Sequence, residues 1–351
     1  MVGRAWKRVR LPLIILWDKL LGRSRPRVVV LVINNACNLR CRYCFGEYHS
    51  RSGNQDYSTA ELKHLIDELH AQGTVYMIVH GGETLLRPDI GEIVSYIKQK
   101  GIYINLITNG FLLEKKIDEV KAVDGLCISL DGREENNDLV RGAGSFKAAL
   151  NAIDLIKRMK IPLRVQATLT KYTRHDIGYL CDLAREKQFH LEFSLLFHST
   201  PGMQDLILGD QDTRDVLREI IDYKKRGYPI FTSLRALNLA LAWPYPYEKV
   251  YLTDADNPPG FHPGKCYFSR HLVTIDADGR MFPCFSLNNT FDALNVKSAG
   301  VSSAFEQCSA GKECRFCSSL SHIDWNIMLS LSPGFLMEQV KLHLRELFGR
   351  Y

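Results

Sequence analysis

Between residues 27 and 197 short apolar, β-branched runs alternate with amphipathic stretches, and few architectures accept that pattern. "RVVVLVI" (27–33), "TVYMIVH" (74–80), "IYINLIT" (102–108), "GLCISL" (125–130), "LRVQATL" (163–169) and "HLEFSLLF" (190–197) read as strands. Between them, Ser58 and Glu61 stand in capping-box spacing, so a helix starts there. Further helices are expected after Pro88, over 113–122, over 145–158 and near 174–187. Six strands alternating with helices imply a parallel sheet covered by helices. That sheet is either a partial barrel or a doubly wound sheet.

The polar, glycine-rich motifs all follow strand ends. "ACNLRCRYCFG" (36–46) follows the first strand and "HGGET" (80–84) the second. "TNG" (108–110) follows the third, and "SLDG" (129–132) closes the fourth. In barrels, chemistry gathers at the C-terminal ends of the strands. Four motifs on one rim therefore favour a partial (β/α)6 TIM-like barrel with one large site.

The first motif places Cys37, Cys41 and Cys44 in C-x3-C-x2-C spacing, with no fourth cysteine close by. A structural zinc site closes with four ligands, and His49 is the nearest candidate for a fourth. A cubane iron–sulfur cluster on three thiolates instead keeps one iron open to a small ligand.

This spacing, with the aromatic Tyr43 before the third cysteine, resembles the signature of the radical S-adenosylmethionine (radical SAM) enzymes. "GGET", "TNG" and "SLDG" resemble family features in the same order. The resemblance implies a 4Fe-4S cluster on Cys37, Cys41 and Cys44 whose open iron chelates S-adenosylmethionine. It implies reductive cleavage to a 5′-deoxyadenosyl radical that abstracts hydrogen from a substrate, fed by an electron donor such as flavodoxin or ferredoxin. It assigns Gly81, Gly82 and Glu83 to the methionine amino group and the Tyr43 backbone to adenine. Ser129 is assigned to ribose and Arg141 to the methionine carboxylate. Glycine suits such a place because a missing side chain lets backbone approach a ligand, and arginine pairs carboxylates bidentately. Asp131 is expected to orient neighbouring backbone. Two departures stand out: Thr84 replaces the proline usual after GGE, and Asn137 stands where many relatives carry histidine.

Of the ten cysteines, five lie late: Cys266, Cys284, Cys308, Cys314 and Cys317. "HLVTIDADGRMFPC" between them reads as a hairpin turning at "ADG". The arrangement resembles the SPASM and shorter twitch extensions of the superfamily. Five cysteines allow one auxiliary iron–sulfur cluster with one spare. The expected ligands are Cys266, Cys284, Cys314 and Cys317, with Cys308 the extra member, and zinc is the alternative metal. Cys127 and Cys181 sit in apolar surroundings as buried inert thiols.

The net charge of +6 is concentrated, since residues 1–27 carry +7 and the rest about −1. A global basic field for nucleic acid is thus excluded. "LPLIILW" (11–17) is far shorter than the roughly 20 residues of a membrane span. On a helix, Trp6, Val9, Leu13, Leu16, Trp17 and Leu20 share one face. Either that face lies on anionic lipid through residues 1–24, or the helix docks on the protein's own body. The expected organisation is a basic amphipathic helix (1–26), the barrel core (27–200) and a linker or helical extension (201–262). A small cysteine-rich domain (263–320) and a C-terminal helix (321–351) complete it.

The expected function is hydrogen abstraction from a peptide or small molecule during maturation or biosynthesis. The runner-up is a membrane-associated lipid or isoprenoid of hopanoid type. A non-catalytic cluster-binding partner protein is the remote third reading. The 26 residues before the first strand are too few for a peptide-recognition or cobalamin domain. A cytoplasmic protein, peripheral on the inner face of the membrane, is the expected location.

Overall fold

The computed structural model describes residues 2–44, 46–51, 56–196, 203–287, 290–311 and 314–331. Helix α1 (Val2–Leu20) leads into strand β1 (Val28–Val32). A short helix α2 (Tyr48–Arg51) and helix α3 (Thr59–Ala71) precede β2 (Tyr76–His80). Then come α4 (Ile90–Gln99), β3 (Tyr103–Thr108), α5 (Leu113–Val120), β4 (Gly125–Ser129), α6 (Glu134–Arg141) and α7 (Ser145–Arg158). Next are β5 (Leu163–Leu169), α8 (Ile177–Lys187), β6 (His190–Leu195), α9 (Asp210–Lys225), α10 (Leu234–Leu241) and β7 (Tyr251–Thr253). The last elements are β8 (Leu272–Ile275), β9 (Met281–Phe282), α11 (Val296–Ala310), β10 (Cys314–Cys317) and α12 (Leu320–Ser330).

The six expected strands pair in sequence order, all parallel. Local chemistry explains where the helices begin. Ser58 and Glu61 form the full reciprocal capping box on α3, a device worth about 1 kcal/mol. Strands β1, β3 and β4 are buried on both faces, so they read as nearly continuous apolar runs, whereas β5 alternates buried and half-buried residues. One face, carrying Val29, Leu31, Met77 and Val79, packs under the flanking helices through Leu62, Ile66 and Ile93. The other, carrying Val28 and Val30, packs against Leu11, Ile15, Phe268, Cys284 and Cys314.

That second contact is a feature the motif order did not contain. Strand β8 lies parallel beside β1, with Val28 opposite Leu272 and Leu31 opposite Ile275. The sheet therefore runs β6-β5-β4-β3-β2-β1-β8-β9. The expected hairpin is present, with β9 antiparallel to β8, and it extends the sheet past residue 263 without a break. The linker expected over 201–262 holds two helices and a strand. Within it, β7 pairs antiparallel with β10, and Trp243, Tyr247, Leu252 and Phe261 are buried. Burial of these side chains makes the segment a packed one. Of the expected C-terminal helix, α12 is observed, and residues 332–351 lie outside the described residues.

Candidate active site

The four rim motifs are knitted together at the C-terminal ends of β1 to β5. Asn34, directly after β1, donates from Nδ2 to the carbonyls of Glu83 (2.9 Å) and Ala36 (3.1 Å). In return, the amides of Gly82 and Glu83 donate to Asn34 and Ala36 carbonyls at 3.0 and 2.8 Å. The two loops lie so close that a Cβ on Gly81 would overlap the Asn34 side chain, and one on Gly82 would overlap the Ala36 carbonyl. These glycines are required by loop-to-loop packing.

Glu83 is buried, and its carboxylate accepts from Thr108 Oγ1 (2.6 Å), the Asn109 amide (2.7 Å) and the Leu85 amide (3.0 Å). Burial raises its pKa, and those donors oppose the rise. The side chain thus ties the second motif to "TNG". Asn109 continues the chain of contacts by donating to Asn38 Oδ1, at 2.8 Å, inside the three-cysteine loop. Thr84, the departure from proline, donates to the Ile107 carbonyl at 2.9 Å, so its hydroxyl braces the neighbouring strand.

The other side of the loop is held by Asp131. It receives Arg141 through two parallel bonds of 2.7 and 2.8 Å, the Tyr43 hydroxyl, and the Thr168 amide at 2.8 Å. Asp131 is fully buried, and Arg141 and Tyr43 nearly so. Arg141 also stands over the Tyr43 ring, 5.4 Å from its centre. Two of the three guanidinium nitrogens are therefore committed to Asp131. Asn137, the second departure, accepts from the Asp131 amide at 3.0 Å and donates to Ser145 at 2.8 Å. It thereby locks the start of α7 to the end of β4. Ser129 ends β4 opposite Gln166 and is half-buried.

Within this frame the three cysteines share one tight loop. The Cys44 amide donates to the Cys41 carbonyl at 3.1 Å, and Leu39 N–H points at Cys37 Sγ at 3.4 Å. Burial pushes the Cys37 thiol up to about 11 and the Cys41 thiol up to about 12, and Cys44 adds to both. Nearby Arg141 opposes the rise. Three half-buried thiols on one loop form a donor set suited to a cationic, thiophilic metal centre. The His49 side chain lies outside the described residues.

The late cysteines separate into two groups. Burial holds the Cys317 thiol well above its ordinary value, and Cys266, Cys284 and Cys314 all add to the rise. Those three thus lie within electrostatic reach of Cys317. Asn326 donates to Cys266 Sγ at 3.4 Å and accepts from the Tyr267 amide at 2.7 Å. Cys308, on α11, is buried elsewhere, with its thiol 3.3 Å from the Met281 carbonyl and burial alone raising its pKa to about 12. Among the described residues no three His, Cys, Asp or Glu side chains converge tightly enough to hold a single metal ion. A cubane spreads its ligands over separate irons and asks for less convergence. Cys127 and Cys181 are buried thiols pushed up to about 12, as their apolar setting suggested.

The family profile of the Radical SAM superfamily matches residues 31–194. The chain contains a radical SAM domain. The radical SAM domain accounts for the rim motifs, and likeness extends beyond it. An AdoMet-dependent heme synthase of Methanosarcina barkeri is 34% identical over 168 residues, which are 46% of this chain and 48% of that protein. The chain spans about half the length of that relative. The mycofactocin maturase MftC of Mycobacterium tuberculosis is 27% identical over 320 residues, 86% of this chain and 78% of that one. Among solved structures, Streptococcus suis SuiB bound to its precursor peptide SuiA shares the fold. Its TM-score is 0.64 at 15% identity, over 85% of this chain and 70% of that chain.

One residue beside the radical SAM motifs escaped the sequence reading. His80, the last residue of β2, is 91% buried. Its Nε2 has no partner among the described residues. The ring packs on Phe285, next to Cys284, with centroids 5.1 Å apart. Burial lowers its pKa to about 4, so the imidazole is neutral near pH 7. A histidine at the inner end of an otherwise apolar strand was the available signal.

Proposed function

We propose that this chain is a radical SAM enzyme that abstracts hydrogen from a peptide or small-molecule substrate during its maturation or biosynthesis. The single observation behind this reading is the rim itself, where one hydrogen-bonded network fixes the three-thiol loop against the GGE, TNG and SLDG segments. Cys37, Cys41 and Cys44 would hold the 4Fe-4S cluster. When bound, the cluster and S-adenosylmethionine supply a 5′-deoxyadenosyl radical.

The chain's own residues position and shield. The Asn34–Glu83–Thr108 contacts fix the strand ends, leaving backbone of Gly81 and Gly82 for the methionine amino group. Asp131 takes two nitrogens of Arg141, and the remaining terminal nitrogen would meet the methionine carboxylate. Ser129 would face ribose and the Tyr43 backbone adenine. Cys266, Cys284, Cys314 and Cys317 would hold one auxiliary iron–sulfur cluster. Cys308, which no other cysteine acts on, would stand outside it.

The peptide reading draws on the maturase MftC, similar over most of both chains, and on the shared fold of peptide-bound SuiB. The heme synthase relatives favour a small molecule. A lipid or isoprenoid substrate draws on the exposed apolar face of α1. Peripheral contact of residues 1–24 with the inner face of the membrane belongs to the same reading. A flavodoxin or ferredoxin is the proposed electron donor.

The test is anaerobic. Reconstituted chain with S-adenosylmethionine and dithionite should release methionine and 5′-deoxyadenosine in equal amounts. Release that stays at the level of buffer, with the cluster intact by its visible absorbance, would sink the proposal.

A further inference from the structure

Helix α1 has two apolar faces, and the fold uses only one. Leu11 and Ile15 are buried against Val28, Val75, Phe268 and Leu272. Asp18, on the same face, is fully buried and accepts two bonds from Arg27 at 2.6 and 2.7 Å. Arg27 also donates to the Gly73 carbonyl at 2.8 Å. Lys19 reaches across to lie over the Tyr267 ring, 3.9 Å from its centre. The helix is therefore fixed to the body, beside the segment that starts at Cys266.

The second face points away. Leu13, Leu16, Trp17 and Leu20 recur at helical spacing, with Leu21 following, and all five are exposed. Trp17 is 59% exposed and Leu20 71%. Twelve large hydrophobic residues are exposed among the described residues, and five of them lie in this one stretch of nine. Singly exposed apolar residues are ordinary, whereas a contiguous patch marks an interaction surface. The patch lies in the segment that concentrates the chain's positive charge, with Arg10 before it and Arg23 and Arg25 after it. No helix among the described residues is long and apolar enough to cross a membrane.

We infer that this outward face of α1 is a docking surface for an anionic phospholipid bilayer, held at a fixed attitude by the buried Asp18–Arg27 pair. Charge complementarity selects the partner. A neutral apolar partner would gain nothing from the flanking arginines. An anionic surface gains about fivefold in affinity for each basic residue brought near it. Trp at the rim of such a face suits the headgroup boundary. The inference rests on the peripheral-contact reading above and is independent of the chemistry of the cluster.

The experiment is vesicle co-sedimentation of the full reconstituted chain. The vesicles are phosphatidylglycerol–phosphatidylcholine mixtures or phosphatidylcholine alone, at low and at physiological salt. The expected result is salt-weakened binding to the anionic vesicles only. The triple variant L16E/W17E/L20E should bind at least tenfold more weakly, with unchanged thermal midpoint and unchanged 5′-deoxyadenosine release. Full binding by that triple variant, together with loss on deleting residues 1–24, would overturn this face as the surface while leaving peripheral contact standing. Absence of binding by the intact chain would overturn both. Equal binding to phosphatidylcholine vesicles would overturn the charge argument and with it the inference. So would a self-associated dimer that the triple variant dissolves.

Discussion

The two cysteine regions are built in opposite ways. The early one is local, with three thiols inside eight residues on one loop. Its neighbours hold it through hydrogen bonds from four strand ends. The late one is assembled, with Cys266 before β8, Cys284 after β9, and Cys314 and Cys317 on β10. A sheet extension and a separate two-stranded pairing bring Cys266, Cys284 and Cys314 within electrostatic reach of Cys317. Local spacing states its chemistry in the sequence, and an assembled set states only its inventory. The early loop should therefore tolerate loss of a thiol structurally while losing function. The late set should lose structure and metal together.

The largest expected effect tests that contrast directly. Cys41→Ala should abolish 5′-deoxyadenosine release and lower bound iron by one cluster, with the thermal midpoint changed little. Cys317→Ala should lower bound iron by the other cluster and also lower the midpoint, because a buried strand loses its anchoring. Cys308→Ala should leave iron content unchanged. Iron and sulfide analysis beside calorimetry separates the three. Equal iron loss in the Cys308 and Cys317 variants would end the four-ligand assignment.

A smaller effect should come from the support of the early loop. Asp131→Asn removes the negative charge facing buried Arg141. Leaving such a charge uncompensated costs about 3–5 kcal/mol, to be read from urea unfolding. Affinity for S-adenosylmethionine should fall as well, since Arg141 and Tyr43 lose their common anchor. Arg141→Lys, which cannot reproduce the double bond, should weaken binding in the same direction. An Asp131 variant with native stability and native affinity would show that the loop is held by the Asn34 and Glu83 contacts alone.

How much of this could be read beforehand differs between the same two regions. The six strands, most helix starts and the rim placement were legible, because strand burial and capping leave local signatures. The glycines of "GGET" were legible as a place of close approach, and the structure adds a packing reason that the sequence does not carry. Only the approach of Asn34 and Ala36 shows that protein fills the space a Cβ would take. Pairing of β8 with β1 was illegible, since a four-residue apolar strand carries no mark of its partner. The separation of Cys308 from the other four follows from α11 holding it against Met281, a contact between residues 27 positions apart. At the N-terminus the two readings of the helix were posed as rivals. The structure uses Leu11, Ile15 and Asp18 for docking and leaves the other face open.

The smallest expected effect concerns the residue between the two regions. His80 ends β2 beside the early motifs and packs at a tilt against Phe285 beside the late ones. Its folded pKa is lowered to about 4 by burial, below the ordinary 6.5. The unfolded chain therefore takes up a proton that the folded chain refuses, so its contribution to stability is complete above about pH 6.5. It is lost progressively as pH falls toward about 4. His271, lowered to about 4 as well, acts with the same sign, whereas buried Asp324, raised to about 7, acts against both. His80→Leu should therefore make stability less sensitive to acid than in the parent chain between about pH 7.5 and 5.5, by about 1 kcal/mol. Chemical unfolding at the two pH values measures this. If His80 only fills space, the leucine variant should also keep native 5′-deoxyadenosine release. If its free Nε2 meets a group bound at the strand rim, release coupled to substrate should fall while uncoupled release does not. That split would place a hydrogen-bonding contact at the point where the local and the assembled cysteine regions meet.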